Sequence, residues 1–565
     1  MIDAVIRKAR QVLGDPVLRR WLLRRIAGLE KLPAGFVLGQ PPYLSDELEP
    51  HSPAATDFPA GSFAAPTENI RISLPGQSVD LSPDDPSALF TEPYADIETL
   101  LGAHRFAWVP VAGEELDPDW VASLWQCWSD GFGDGDSGWP WHAYTAAERA
   151  INIIDFSRRF GLPGPRDTTS ALLVRHARII RGGLEYFGEH YTSNHLSNNG
   201  RGLLRIGTAL DLKNYADTGA KIMVAEAGRL FGRSGVLREG STHYHLLITR
   251  NYIDAWLDAR AAGLDQTDTL REVAARAIAA IPGLCLPGGL PLIGDISPDV
   301  KPEYLRKLYD AGNPNAWPAN LPASRQSDAL SLLSEIPPVS PDRLAADGWH
   351  RFGGHDWQAL SFVPPDGWPP MPGHGHQDLG SFELHDGDLP IIIDPGRGSY
   401  ADPQYEMPAA HNGVTIDGRS PTPANRPYYA VAFRNLIFAS PPEMQRTRDG
   451  RVLRNAGFRY LKAVTSAERE WRFSEAGVKI SDHIVGRGRH GICRRFCTPL
   501  TVRREADAVI MSAGLRSYRL LPGADFRLED ITCWSAYGEG RPATQIISER
   551  HESLPFEAVV TIERI

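Results

Sequence analysis

Two imidazoles and a carboxylate stand close together in Gly373-His374-Gly375-His376-Gln377-Asp378, and a further carboxylate and imidazole follow at Asp394 and His411-Asn412. The first segment leads into a predicted strand, and its return strand ends in Asp394-Pro395-Gly396. Hairpin pairing about Asp386-Gly387 returns Asp394 to the level of Leu379, where a loop bearing His374 and His376 can fold over it. Two neutral imidazoles plus a carboxylate suit a zinc-like ion, which takes nitrogen and oxygen ligands in tetrahedral array where cysteine is absent. The bland alternative is a pair of solvent-facing histidines beside a turn aspartate, since the 17 histidines of the chain cannot all be ligands. Both readings stand at this point.

Two earlier segments load the starts of predicted helices with polar and titratable groups. One is Asn194-His195-Leu196-Ser197-Asn198-Asn199-Gly200; the other is Glu239-Gly240-Ser241-Thr242-His243-Tyr244-His245, ahead of an apolar run from Leu246 to Trp256. Taken alone, each reads as an N-cap cluster. Arg149, Arg201 and Arg205 carry guanidinium forks that match a carboxylate or sulfate, although arginines on a helix are more often solvated. Trp139, Trp141 and Tyr144 offer stacking surfaces for sugar rings or, equally, core packing.

The elements that must position these groups change character along the chain. From about Ile97 to Asp310 the apolar spacing is helical, as at Ala147, Ala150, Ile151 and Ile154, and short loops separate successive helices. Such helical hairpins must stack to hide their apolar faces, which predicts a toroid or solenoid. Proline and glycine punctuation from Leu284 to Asp299 and Asn313 to Pro322 precedes a change of period. Beyond it, short runs of β-formers (Ser381–Leu384, Leu389–Ile393, Ala430–Phe438, Val478–Ile484) predict an antiparallel sandwich. The expected organisation is α+β and multidomain: a basic helical segment over 1–38, an irregular proline-rich arm over 39–90, helices over 91–329 and strands over 330–565.

A chain of 565 residues, 42% hydrophobic, can bury more than one core. Its 5 cysteines form no CxxC pair, so neither a disulfide framework nor a cysteine zinc site is indicated. A formal charge of −10 argues against a nucleic-acid partner. Near the amino end, Arg7, Lys8, Arg10, Arg19, Arg20, Arg24 and Arg25 break up the apolar residues. They leave no signal-peptide core and no membrane span, so this segment reads as an amphipathic helix docked on a core and points to the cytoplasm.

The chain resembles the heparinase II/III-like polysaccharide lyases over roughly residues 95 to 500. The specific motif is His374-x-His376-x-Asp378 with Asp394-Pro395-Gly396-x-x-x-Tyr400 and His411-Asn412. His104-Arg105-Phe106-Ala107-Trp108, Trp141-x-x-Tyr144-x-x-x-x-Arg149, Asn194-His195 and Glu239-x-Ser241-x-x-Tyr244-His245 support it. The resemblance implies an incomplete (α/α) toroid followed by an antiparallel β-sandwich, with the active site in the cleft between them. It implies that Asn194 neutralises a uronate carboxyl, that His195 and Tyr244 act as base and acid, and that His374 assists from the sandwich side. His376, Asp394 and His411 would hold one divalent ion, zinc above others, in a mainly structural role without an organic cofactor, and Arg149 and Tyr400 would contact substrate. The implied partner is an acidic polysaccharide and the implied compartment the cell envelope or periplasm. One departure is Asn198, where some relatives have glutamate, and Tyr252 is a rival to Tyr244 as the catalytic tyrosine.

β-Elimination removes the C5 proton of a uronic acid and expels the C4 oxygen, leaving an unsaturated sugar. The weak acidity of that proton calls for donors aimed at the developing enolate charge. Tyrosine, with an ordinary pKa near 10, suits the acid, and histidine, near 6.5, serves either way. Two other functions compete: a glycoside hydrolase using carboxylates such as Asp136, Glu148 or Glu239, and a non-catalytic glycan-binding or exopolysaccharide assembly protein.

Overall fold

A computed structural model describes residues 13, 16–29, 37–45, 58–189, 191–310, 312, 317–365, 373–421, 441–461, 463–523 and 525–565. The basic residues Arg7, Lys8 and Arg10 and the strand expected over Ala430–Phe438 lie outside these.

The amino-terminal half is built of helices α1 (Ile97–Arg105), α2 (Pro118–Phe132), α3 (Ala143–Phe160), α4 (Arg166–Gly182), α5 (His195–Ala209), α6 (Lys213–Leu230), α7 (Thr242–Ala262) and α8 (Thr267–Leu284). They form an incomplete (α/α) toroid whose inner helices, α3, α5 and α7, are buried along nearly their whole length. Small residues let the helices approach closely. A Cβ on Gly219 would sit 2.3 Å from the backbone nitrogen of Leu204, and one on Gly207 2.3 Å from that of Ala216, so α5 and α6 meet backbone to backbone. Charged residues on such buried helices must find partners inside. Arg205 lies 2.6 Å from Asp258, which also takes Arg325 at 2.7 Å and Arg158 at 3.3 Å, while Arg201 bridges Glu148 at 2.9 Å and Asp254 at 3.3 Å.

In the arm expected to be irregular, Ile70–Leu74 and Gln77–Leu81 pair as a hairpin. Its alternating Ile72, Leu74 and Leu81 are buried against the toroid core, a period-2 signal short enough for the surrounding prolines to mask. The helix Pro16–Ile26 inserts Trp21 into the apolar core of the carboxyl-terminal half.

Helical structure continues through Ala323–Glu335 and Pro341–Ala346, and the first strand of the second half starts at Trp349. The strands there are antiparallel. Trp349–Gly354, Trp357–Phe362, Glu383–Asp386 and Leu389–Ile392 form one four-stranded sheet, and Phe526–Ala536, Glu539–Ser553, Arg489–Thr498 and Val414–Ile416 another. An eight-stranded sheet, with Gly477–Gly486 near its centre, covers them, and Trp357, Phe382, Trp471, Phe496 and Ile546 interlock between the layers. The result is a β-sandwich. Cys493 and Cys497 lie on one strand as buried core residues, and all five cysteines are free.

Candidate functional site

The start of α7 sets the centre of the site. Ser241 caps the helix, its Oγ accepting from the Tyr244 backbone N–H at 3.1 Å and donating to the Asp295 carbonyl at 2.7 Å. This ties α7 to the loop around Gly294 and Asp295, and that loop in turn pairs with the sandwich. The Asp295 N–H donates to the His374 carbonyl at 2.9 Å, and the His374 N–H to the Glu239 carbonyl at 3.1 Å. Gly294, at φ +82°, is required here, because a Cβ would stand 2.6 Å from the Gly240 oxygen and 2.7 Å from the His374 oxygen.

Asn194 does not cap α5 with its side chain. Its backbone and side-chain N–H groups both donate to the Glu239 carboxylate, at 2.9 and 2.7 Å, and Nδ2 also lies 3.3 Å from His374 Nε2. The His374 ring stacks on Tyr244 with centroids 3.4 Å apart and an interplanar angle of 9°, and His374 Nδ1 is 3.1 Å from Asp295. The Tyr244 hydroxyl meets the Tyr400 hydroxyl at 2.6 Å. Asn194, Tyr244, His374 and Tyr400, drawn from α5, α7 and two sandwich loops, therefore form one contiguous cluster. Burial, reinforced for Tyr244 by Asp299 and for Tyr400 by Tyr244 itself, holds both phenols well above the ordinary phenol range.

His195 follows Asn194 at the start of α5, with 42% of its side chain exposed. Its Nδ1 lies 2.7 Å from Glu185 Oε1, and its ring packs on Tyr144, whose hydroxyl donates to Asp299 at 2.6 Å. Burial pushes the His195 imidazole down, but Glu185 outweighs it and holds it above the ordinary histidine range. His142 stands 3.7 Å from the same Glu185 oxygen, and Trp139 beside it is 52% exposed.

The second cluster is His376, Asp394 and His411, whose ligand atoms lie within 4.8 Å of one another. His411 Nδ1 is 2.8 Å from Asp394, and His376 Nε2 is 2.8 Å from Asp295. That leaves His376 Nδ1 and His411 Nε2 buried without a hydrogen-bond partner. Two orphaned imidazole nitrogens beside a carboxylate fit a divalent cation, and the His376 ring is fixed by Asp295 on its other nitrogen. The solvent-facing alternative does not hold, since His376 and His411 are 4% and 1% exposed. Asp394 sits beside Ser381 and Phe382 instead of Leu379. The ladder is bulged between Leu384 and His385, and Asp378–Ser381 form a turn. Asn412 staples the centre, donating to the Phe382 and Ile393 carbonyls and accepting from the Cys497 N–H.

The arginines differ from both readings given to them. Arg149 is fully buried, its Nε bonded to His176 at 2.9 Å and its guanidinium 3.7 Å over the Trp128 ring, and it faces no cleft. Arg201 and Arg205 belong to the internal ion network. Trp141 is core, and Tyr252 is buried with its hydroxyl on the Met223 carbonyl. Glu185, Asp295, Asp299 and His142 join the site without a signal in the sequence: each comes from a loop or a helix end. Asn198 is buried beside Arg201, so the carboxylate next to His195 is Glu185.

Residues 337–558 match the family described as Heparinase II/III-like, C-terminal. Among solved structures, a heparinase III is similar at 14% identity over 83% of this chain and 76% of its own, with a TM-score of 0.59. A second heparinase III gene product gives 16% over 85% and 83%, TM-score 0.57. The mutant heparan sulfate lyase HepC from Pedobacter heparinus gives 15% over 84% and 77%, TM-score 0.52. No curated protein matches the sequence.

Proposed function

We propose, for a chain that is heparinase II/III-like by its carboxyl-terminal domain and has the heparinase III fold, that it is a polysaccharide lyase cutting a uronic-acid-containing glycan by β-elimination. The observation that carries this reading is the stack of Tyr244 on His374, with the Asn194 amide 3.3 Å from the same imidazole. An amide donor, an imidazole and a protonated phenol then converge where a uronate carboxyl, its C5 proton and the leaving oxygen must lie within one sugar ring.

Each residue has a distinct task. One Asn194 amide hydrogen is anchored on Glu239, and the other, directed at His374, turns to the uronate carboxylate; together with the His374 ring it offsets the charge that grows as C5 loses its proton. His195 takes the C5 proton. Tyr244, kept as the neutral phenol by burial, protonates the departing oxygen and is resupplied through the hydroxyl of Tyr400. Trp139 offers a stacking face at the mouth. His376, Asp394 and His411 would hold a divalent ion, zinc by its donor set, which would clamp the sandwich loops under His374. Of the carboxylates a hydrolase would need, Glu148 is engaged by Arg201 and Glu239 by Asn194, while Asp136 is exposed and forms no buried pair with either.

The test is product analysis on alginate, glycosaminoglycans and bacterial exopolysaccharides. The proposal predicts ultraviolet-absorbing unsaturated uronate ends from at least one polymer, with no product from neutral glycans. New reducing ends without that absorbance would identify a hydrolase, and binding without cleavage of any polymer would identify an assembly or binding protein.

A further inference from the structure

Glu185 lies just before the stretch leading into α5 and is held against one face of that helix. Its backbone N–H donates to Asn199 Oδ1 at 3.0 Å, Asn199 Nδ2 donates to its Oε2 at 3.1 Å, and its Oε1 is 2.7 Å from His195 Nδ1. His195 and Asn199 are one turn apart, so a single carboxylate clamps two neighbours on the same face. Glu185 is 6% exposed, and its partners hold it ionised although burial opposes this. An ionised carboxylate can only accept, so the hydrogen in the 2.7 Å contact belongs to His195 Nδ1. The ring plane is fixed on its other side by Tyr144, itself held by Asp299.

We infer that Glu185 is a positioning residue for the elimination: it fixes the His195 tautomer with hydrogen on Nδ1, leaving the Nε2 lone pair as the acceptor of the C5 proton. This rests on the lyase reading for the identity of the proton, but not for the state of the imidazole. The proton passes from carbon to Nε2 as the C–O bond breaks, and the imidazolium so formed is stabilised by the carboxylate across the ring, with no further reactant required. The charged groups that face His195 are Glu185 and Glu239, which favour the imidazolium, and Arg105, which opposes it. His142, across Glu185, has its imidazole lowered by burial first and is raised only in part by that carboxylate.

The experiment follows the His195 ring resonances in protein labelled with nitrogen-15 and carbon-13 on histidine, assigned by their loss in His195→Gln. In the wild type at high pH, the Nδ1–H tautomer is expected. Glu185→Gln keeps an acceptor oxygen but removes the charge, and should lower the His195 titration midpoint by about one unit or more. With a uronate polymer that is cleaved, the acid limb of kcat/KM should move down by the same amount. kcat should fall about 10- to 100-fold with little change in KM. An Nε2–H tautomer in the wild type overturns the inference even if the variant fails to fold, and so does an unmoved midpoint in folded Glu185→Gln. If the wild type cleaves no polymer, the lyase reading fails, while tautomer and midpoint still decide whether Glu185 positions His195.

Discussion

Tyr244→Phe removes one oxygen from the centre of the cluster and leaves almost everything else in place. The ring is held by the Ser241 cap on its backbone N–H and by face-to-face packing on His374, neither of which involves the hydroxyl. The hydroxyl's partners are Tyr400, 2.6 Å away, and Ser297, so the lost hydrogen bonds should cost about 1–2 kcal/mol of stability. The kinetic cost is far larger, because a positioned general acid is worth about 10²- to 10⁴-fold, or about 3–5 kcal/mol of barrier. The loss should fall on kcat, since the phenol acts on the leaving oxygen only as the bond breaks. The assay is the initial rate of ultraviolet absorbance from unsaturated uronate, with polymer affinity measured separately by calorimetry and folding by circular dichroism. A folded Tyr244→Phe variant that keeps more than about a tenth of wild-type kcat would refute the assignment of Tyr244 as the acid, as this is well short of the smallest expected effect.

Other outcomes follow from the same geometry. His411→Ala should abolish stoichiometric binding of one divalent ion, read by metal analysis. It should also remove the ligand-linked stability, about 2.7 kcal/mol at a hundredfold excess of ion over its dissociation constant, read as a lowered Tm. Asp258→Ala removes the carboxylate shared by Arg158, Arg205 and Arg325, leaving Arg205 on Asp155 and Asp254 and Arg158 on Asp155, and should destabilise by about 2–3 kcal/mol in urea unfolding. Burial lowers the imidazoles of His104, further opposed by Arg149, to about 3 and of His245 to about 4. The unfolded chain therefore takes up protons first as pH falls. Their contribution to stability is complete above the unfolded histidine pKa near 6.5 and is lost on acidification towards those folded values, by up to about 1.4 kcal/mol per pH unit for each histidine. Urea midpoints at pH 7 and pH 5 measure this, and replacing His104 and His245 by Gln should flatten the slope.

The fold was legible wherever one period dominated. Alanine and isoleucine spacing in α3 and the β-former runs after Trp349 announced a toroid and a sandwich, and the short Ile70–Leu81 hairpin was hidden by the prolines around it. In the site, Asn194, Tyr244, His374 and Tyr400, carried by compact motifs, come together in space, with His195 next to Asn194 and packed on Tyr144, and so do His376, Asp394 and His411. What could not be read was the supporting layer: Glu185 and Asp295 are single acidic residues in loops, placed by tertiary pairing that leaves no periodic trace. Arg149 meets neither solvent nor substrate for a physical reason. It lies beside Ala146, Ala147 and Ala150 on a helix buried along nearly its whole length, and its guanidinium reaches inward onto Trp128 and His176.

The most direct measurement is cleavage of a uronate polymer in oxygen-18 water, with the product ends analysed by mass spectrometry. Elimination consumes no water, so the account predicts that each cut yields one unsaturated end 18 Da lighter than a saturated one, and that no label enters at the moment of cleavage. One oxygen-18 per cut, on saturated products, would contradict it.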